Sequence, residues 1–318
     1  MDVHTRPLAL AFLLLLITDS LPLGAAEAPN GKGETTVDDQ DAISLRDIFD
    51  FQLPKIIRPE SLRFTLNPSF GDLVHKDYVR IRTGARYAFT KHVEASAEIV
   101  TYLDNFGGNG TGGPGISEYR LGTKLAWHTF LHPYVDTAFG VTVAIPAPGA
   151  PERLTIGTTR CTPYLTFSRD LKTLRGLGAF LNVGYEFFDS DPEPGRIAIY
   201  RPQHDNVIVT PGVVLHRTPW HYTLATSLRT TALDGPSHEY VSIIPSVSFE
   251  VPAHWTPGIP GRFVVGAGYE AIFYGGEIEH RITSRVRWDF DWRKAARNLG
   301  QNVLDTIPWL NGDRSKKP

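Results

Sequence analysis

Hydrophobicity in this chain repeats every two residues, and that period excludes most folds. In the stretch "YVRIRTGARYAF", Val79, Ile81, Thr83, Ala85, Tyr87 and Phe89 fall on odd positions, and Arg80, Arg82, Gly84 and Arg86 on even ones. After "TKH" the pattern resumes, with Val93, Ala95, Ala97, Ile99 and Leu103 against Glu94, Ser96, Glu98 and Asp104. Side chains on a strand alternate between its faces, so each stretch is a strand with one apolar and one charged side.

The same signature predicts strands at 61–70, 78–90, 92–105, 116–130, 133–146, 155–169, 177–189, 206–217, 219–232, 239–252, 261–274 and 277–291, twelve in all. Most connections alternate in length. "TKH", "FLHP", "DLKTLRG" and "HRTPW" are short, whereas "NFGGNGTGGPGIS", "PAPGAPE" and "SDPEPGRIAIYRPQHD" are long and rich in Gly, Pro and Asp. The last two, "PAHWTPGIPG" and "YGGE", reverse the rule. An even number of antiparallel strands with short turns at one end and longer loops at the other describes a closed barrel, both termini on the short-turn side.

Two architectures fit a strand with one greasy face. A soluble sandwich would bury those faces against each other; a membrane barrel would turn them to lipid and enclose the charge. Three features favour the barrel. The predicted strands mostly run to about 12 residues or more, enough for the roughly 9–11 that a tilted membrane strand needs. Aromatics gather at strand ends (Tyr87, Phe89, Trp127, Trp220, Tyr222, Trp288, Phe290, Trp292), where interfacial girdles lie. Glycines such as Gly122, Gly140, Gly184, Gly212, Gly266 and Gly268 recur on the polar side. The expected fold is therefore all-β: a closed antiparallel transmembrane β-barrel of about twelve strands, with short amphipathic helices before and after it.

The flanks read differently. Residues 1–26 pair Arg6 with the apolar run Leu8–Ile17 and the small residues Gly24, Ala25 and Ala26, the pattern of a signal peptide. Residues 27–60 form a periplasmic leader, in which Ile43, Leu45, Ile48, Phe49 and Leu53 mark a short amphipathic helix. The barrel spans 61–292. In 293–318, Ala295, Leu299, Val303 and Ile307 recur every fourth residue until Pro308 ends the helix, and a tail follows. Each apolar stripe suits a greasy rim at the periplasmic mouth; the alternative is a plug inside the barrel. The single cysteine, Cys161, cannot form an internal disulfide.

From 61 to 292 the chain resembles the bacterial single-chain outer-membrane β-barrels. The resemblance implies an outer-membrane location in a Gram-negative envelope, lipid as the surrounding partner, and insertion by the barrel-assembly machinery. Such barrels commonly end on an aromatic that this machinery reads; Phe290 or Trp292 would serve here, although 26 residues follow.

The charged faces suggest what the barrel does. Closure makes the last, first and second strands neighbours, so Arg281, Arg285, Arg287, Arg63, Arg80, Arg82 and Arg86 would form one basic wall. Inward acids are expected elsewhere: Glu94, Glu98, Glu118, Asp136, Glu186, Glu250 and Glu270. Rows of arginine select anions in pores, and the guanidinium fork matches carboxylate and phosphate. The implied function is a channel or transporter for small polar or anionic solutes, and the wall looks like that of twelve-strand barrels that pass acidic sugars. Two other readings stand beside it: a lumen filled by an arginine–glutamate lattice in a structural or adhesion barrel, and a lipid-hydrolysing barrel enzyme. Against the enzyme, His280 and Ser284 share the outer face but lie four residues apart, about 13 Å along a strand at ~3.3 Å per residue. No phosphate loop, zinc spacing or nucleophile elbow is present, and no cofactor or metal is implied. A net charge of −2 gives no bulk attraction to nucleic acid.

Overall fold

The computed structural model describes residues 54, 56–71, 78–104, 114–132, 135–149, 157–171, 176–189, 205–231, 239–257, 259–274 and 276–291. The expected signal peptide, both terminal helices and Trp292 lie outside them.

Twelve strands follow in chain order: β1 (Ser61–Gly71), β2 (Tyr78–Ala88), β3 (Val93–Asp104), β4 (Pro114–His132), β5 (Val135–Pro146) and β6 (Arg160–Asp170), then β7 (Leu177–Phe188), β8 (Asn206–Arg217), β9 (Trp220–Thr230), β10 (Glu239–Val251), β11 (Arg262–Tyr274) and β12 (Glu277–Asp291). Each pairs antiparallel with its sequence neighbours, and β1 pairs with β12, so the sheet closes into a barrel. Closure leaves no sheet edge and satisfies the backbone without water, as a membrane-spanning sheet requires. β6 begins five residues later than the periodicity predicts, because Gly157 sits at φ +76°, outside strand geometry.

Burial follows the alternation. On β4, Gly122, Lys124 and Ala126 are buried while Leu121, Thr123, Leu125 and Trp127 are exposed. Phe64, Leu66, Phe139, Ile145, Leu165, Leu224, Ile243, Ile282 and Val286 are likewise exposed around the ring. A belt of large apolar side chains this continuous is far beyond what a soluble surface carries, so it faces lipid. Both rims of the belt are aromatic. At the turn end Phe263, Trp288, Phe290 and Phe64 stack in series, with Trp220, Phe249 and Trp255 nearby along the rim. At the loop end Tyr185 meets Phe187.

A bulge re-aims part of β4. Opposite Val100 and Thr101 the register slips, so that Ser117 and Glu118 are both buried while Ile116 and Tyr119 both face out. Inside the barrel, aromatics lie flat over glycines of the adjoining strand: Tyr102 covers Gly115, Tyr164 covers Gly140 and Phe180 covers Gly212, leaving no room for a Cβ.

The segment entering β1 turns inward at residues 56 and 57. Ile56 and Ile57 are buried in a cluster with Ala88, Ala126 and Ala138. Those alanines share the inward parity of β2, β4 and β5 at the turn end. The Ile57 amide also donates to Glu94 Oε2 at 3.4 Å. Glu60, at φ +63°, then turns the chain into β1, its amide bonded to the Ala88 carbonyl at 2.7 Å. Ile56 and Ile57 thus pack against the inner wall at the turn end.

Candidate functional site

Parity and closure put the seven arginines on one side of the interior. Arg63 on β1 is the cross-strand partner of Arg86 on β2, and Asn67 and Ser69 are those of Arg82 and Arg80. On β12, Arg287 faces Thr65 of β1, and Gly266 and Glu270 of β11 face Arg285 and Arg281.

The wall has two unlike halves. Towards the loops, Arg82 and Arg281 keep 18% and 27% of their side chains accessible, and Arg80 is half-buried. Towards the turns, Arg63, Arg86, Arg285 and Arg287 are at most 3% exposed. Of the two halves, the loop-side one is the more accessible.

Nearly all of this charge is engaged. Arg63 forms a fork with Asp289, Nε to Oδ1 at 2.6 Å and Nη2 to Oδ2 at 3.0 Å. Arg287 Nε lies 3.0 Å from the same Oδ2. Glu98 reaches Arg86 at 3.5 Å and Arg82 at 3.8 Å. Arg281 is held by Glu279 at 2.7 Å and lies 3.8 Å from Glu270. Asp289 and Glu279 share the odd positions of Arg281, Arg285 and Arg287 on β12, which the alternation of that strand assigns to its polar face.

The expected acids organise the rest of the interior. Glu94 pairs with Lys124 at 3.3 Å. A chain of pairs runs Arg120–Glu118–Arg160–Glu186–Arg229, its members joining β4, β6, β7 and β9; Arg160 bridges Glu118 at 2.6 Å and Glu186 at 3.2 Å. Glu250 is clasped by Arg262, a further inward cation. Asp136 lies half-buried on β5, opposite Ser168 of β6. His216 and His221 face each other across the β8–β9 turn, Nδ1 to Nδ1 at 3.0 Å. On the outside, His280 bonds Tyr269 and not Ser284. No group of three or more His, Cys, Asp or Glu among the described residues could hold a metal.

No family description matches the chain, and no curated protein does. Solved structures do match its shape. The chain is similar to outer-membrane porins and channels. The NanC porin aligns with 13% identity and a TM-score of 0.44, over 71% of this chain and 98% of that one. The KdgM porin, solved in complex with disordered oligogalacturonate, aligns with 8% identity and a TM-score of 0.43, over 72% and 98%. The COG4313 outer-membrane channel from Pseudomonas putida F1 gives 8% identity and a TM-score of 0.45, over 72% and 94%.

Proposed function

We propose that this protein is an outer-membrane channel for small polar or anionic solutes, with the loop-side arginines Arg80, Arg82 and Arg281 as its selective surface. The observation that carries the reading is the pairing of a lipid-facing apolar belt with an enclosed, charged interior, in which Arg82 and Arg281 keep part of their side chains accessible. Arginine rows favour anions by charge and by their planar fork. Across the ring Glu118 and Glu186 are paired with Arg120, Arg160 and Arg229, so their charge is offset there. The porins and channels of similar shape agree with this reading. A channel needs no catalytic group, and the reading is of a pore, not an enzyme. In it the termini are periplasmic, with the short turns, and the assembly machinery reads the end of β12.

Planar-bilayer recording of refolded mature protein tests it. Wild type should conduct with a reversal potential on the anion side. R82Q combined with R281Q should move that potential towards cations while the barrel still shows heat-modifiable migration. An open pore whose selectivity stays put would sink the anion role.

A second reading is favoured by the leader and the buried arginines: a lumen closed by its ion-pair lattice and by Ile56 and Ile57. It predicts a wild-type barrel with no conductance in any salt.

A further inference from the structure

The connection from β10 to β11 is long where a short turn is due, and its ten residues, "PAHWTPGIPG" at 252–261, contain no Asp, Glu, Lys or Arg. Two contacts hold it against the outer wall. The Trp255 ring lies 5.8 Å from that of Phe249, and Trp288 Nε1 donates to the Pro260 carbonyl at 2.8 Å. Phe249 and Trp288 both stand on the lipid-facing side of their strands, Phe249 with Ile243 and Val247 on β10, Trp288 with Ile282 and Val286 on β12. The turn is therefore pinned to the outside of the barrel and is not laid over the lumen.

What the turn presents beyond those contacts is apolar. Trp255 keeps 62% of its surface exposed, the most of any large apolar side chain among the described residues, and Ile259 keeps 49%. Trp220, also exposed, continues the series through Phe249 at 4.8 Å. The greasy surface of the turn thus runs into the lipid-facing belt without a gap.

The backbone of the turn suits a place with little water. Pro252, Pro257 and Pro260 have no N–H to satisfy. The amides of Trp255, Thr256 and Ile259 donate to the carbonyls of Pro252, Ala253 and Thr256 at 2.9, 3.2 and 3.2 Å. Self-satisfied backbone is what a lipid environment demands. Other connections at the same end differ: Lys91, after β2, and Arg217, at the end of β8, are exposed cations.

We propose that the β10–β11 turn is a membrane anchor, lying in the headgroup boundary of the leaflet at the turn end with Trp255 and Ile259 inserted into phospholipid. Continuity with the lipid-facing belt argues for lipid over a protein partner. So does the lack of charge: tryptophan favours that boundary, isoleucine the acyl chains beneath it, and no ionised side chain has to be dehydrated. The anchor widens the apolar rim beside β10 and β11 and so sets the depth of that side of the barrel. It rests on the barrel fold alone and is independent of conduction.

Refolded mature protein carrying C161S and I259C tests the anchor, labelled with an environment-sensitive fluorophore and reconstituted into phosphatidylethanolamine–phosphatidylglycerol vesicles. Iodide, present on both sides, reports water; lipids with a nitroxide on the headgroup or high on the acyl chain report the boundary. The label at I259C should be blue-shifted, quenched by both nitroxide lipids and shielded from iodide. The same label at K91C, at the same end of the barrel, should be red-shifted and open to iodide. W255S should release the turn and raise iodide quenching at I259C towards the K91C level, whereas W255F should hold it. Heat-modifiable migration checks that each variant is folded. Equal iodide quenching of I259C and K91C would overturn the anchor, because the turn would then stand in water. Shielding from iodide and from both lipids would overturn it as well, because protein would then cover the turn, either a second copy or residues 293–318 of the same chain. A label that stays embedded in W255S would refute the role of Trp255.

Discussion

Asp289 shows how one carboxylate can govern several cations. It accepts both arms of Arg63 and lies against Arg287 Nε, so removing its charge leaves two buried guanidiniums without their shared partner. D289N should therefore cost about 3–5 kcal/mol of barrel stability, read from the heat-modifiable transition. R82Q, in a looser pair 3.8 Å long whose arginine keeps 18% of its side chain accessible, should cost less, about 1 kcal/mol. A D289N effect as small as that of R82Q would contradict the shared-partner geometry. The shared parity of the seven arginines is a property of the sequence, because alternation assigns faces without knowledge of contacts. Their burial is not: Arg82 and Arg86 read alike along β2, and only the narrowing of the lumen towards the turns separates them. Which acid meets which base also depends on register: Glu94 lies directly opposite Lys124, whereas Glu98, opposite Gly84, takes Arg86 on the diagonal.

At the scale of the strand, register decides whether a charge is tolerated. Val141 and Val183 face lipid, whereas Thr142 and Asn182 face in. V141R and V183R should each cost about 2–4 kcal/mol near mid-bilayer; T142R and N182R should cost less in the same unfolding measurement. Equal damage from both pairs would mean the faces are inverted. Gly212 tests the inner surface. A methyl group there strikes the Phe180 ring, so G212A should lose about 1–3 kcal/mol, and G212A with F180A should recover part of it. Strand number and order were readable because every strand carries its own period. The bulge in β4 was readable too: Ile116 and Tyr119 are three apart, where alternation demands two. The start of β6 was not, since Leu154 and Ile156 extend the apolar pattern past the point where Gly157 turns the backbone.

For the molecule as a whole, the residues just before β1 are packed against its inner wall. Ile56 and Ile57 gave no periodic signal of their own; their place inside became evident only when Ala88, Ala126 and Ala138, on three separate strands, met around them. In the channel reading, I56S with I57S loosens that contact and should raise single-channel conductance with the fold intact. Unchanged conductance would place the constriction elsewhere, in the buried arginines. The seam between β1 and β12 has a consequence in time. Arg63 and Asp289 are separated by 226 residues, and their strands lie at opposite ends of the translated barrel. Every other neighbouring pair can form as a local hairpin, but this one requires almost the entire sheet to exist first. Until it forms, two unpaired edges stand open to other chains. Folding of this protein is thus a race between its first strand finding its last and either edge finding a stranger, and the charges buried at the seam are present at the finish of that race and not at its start.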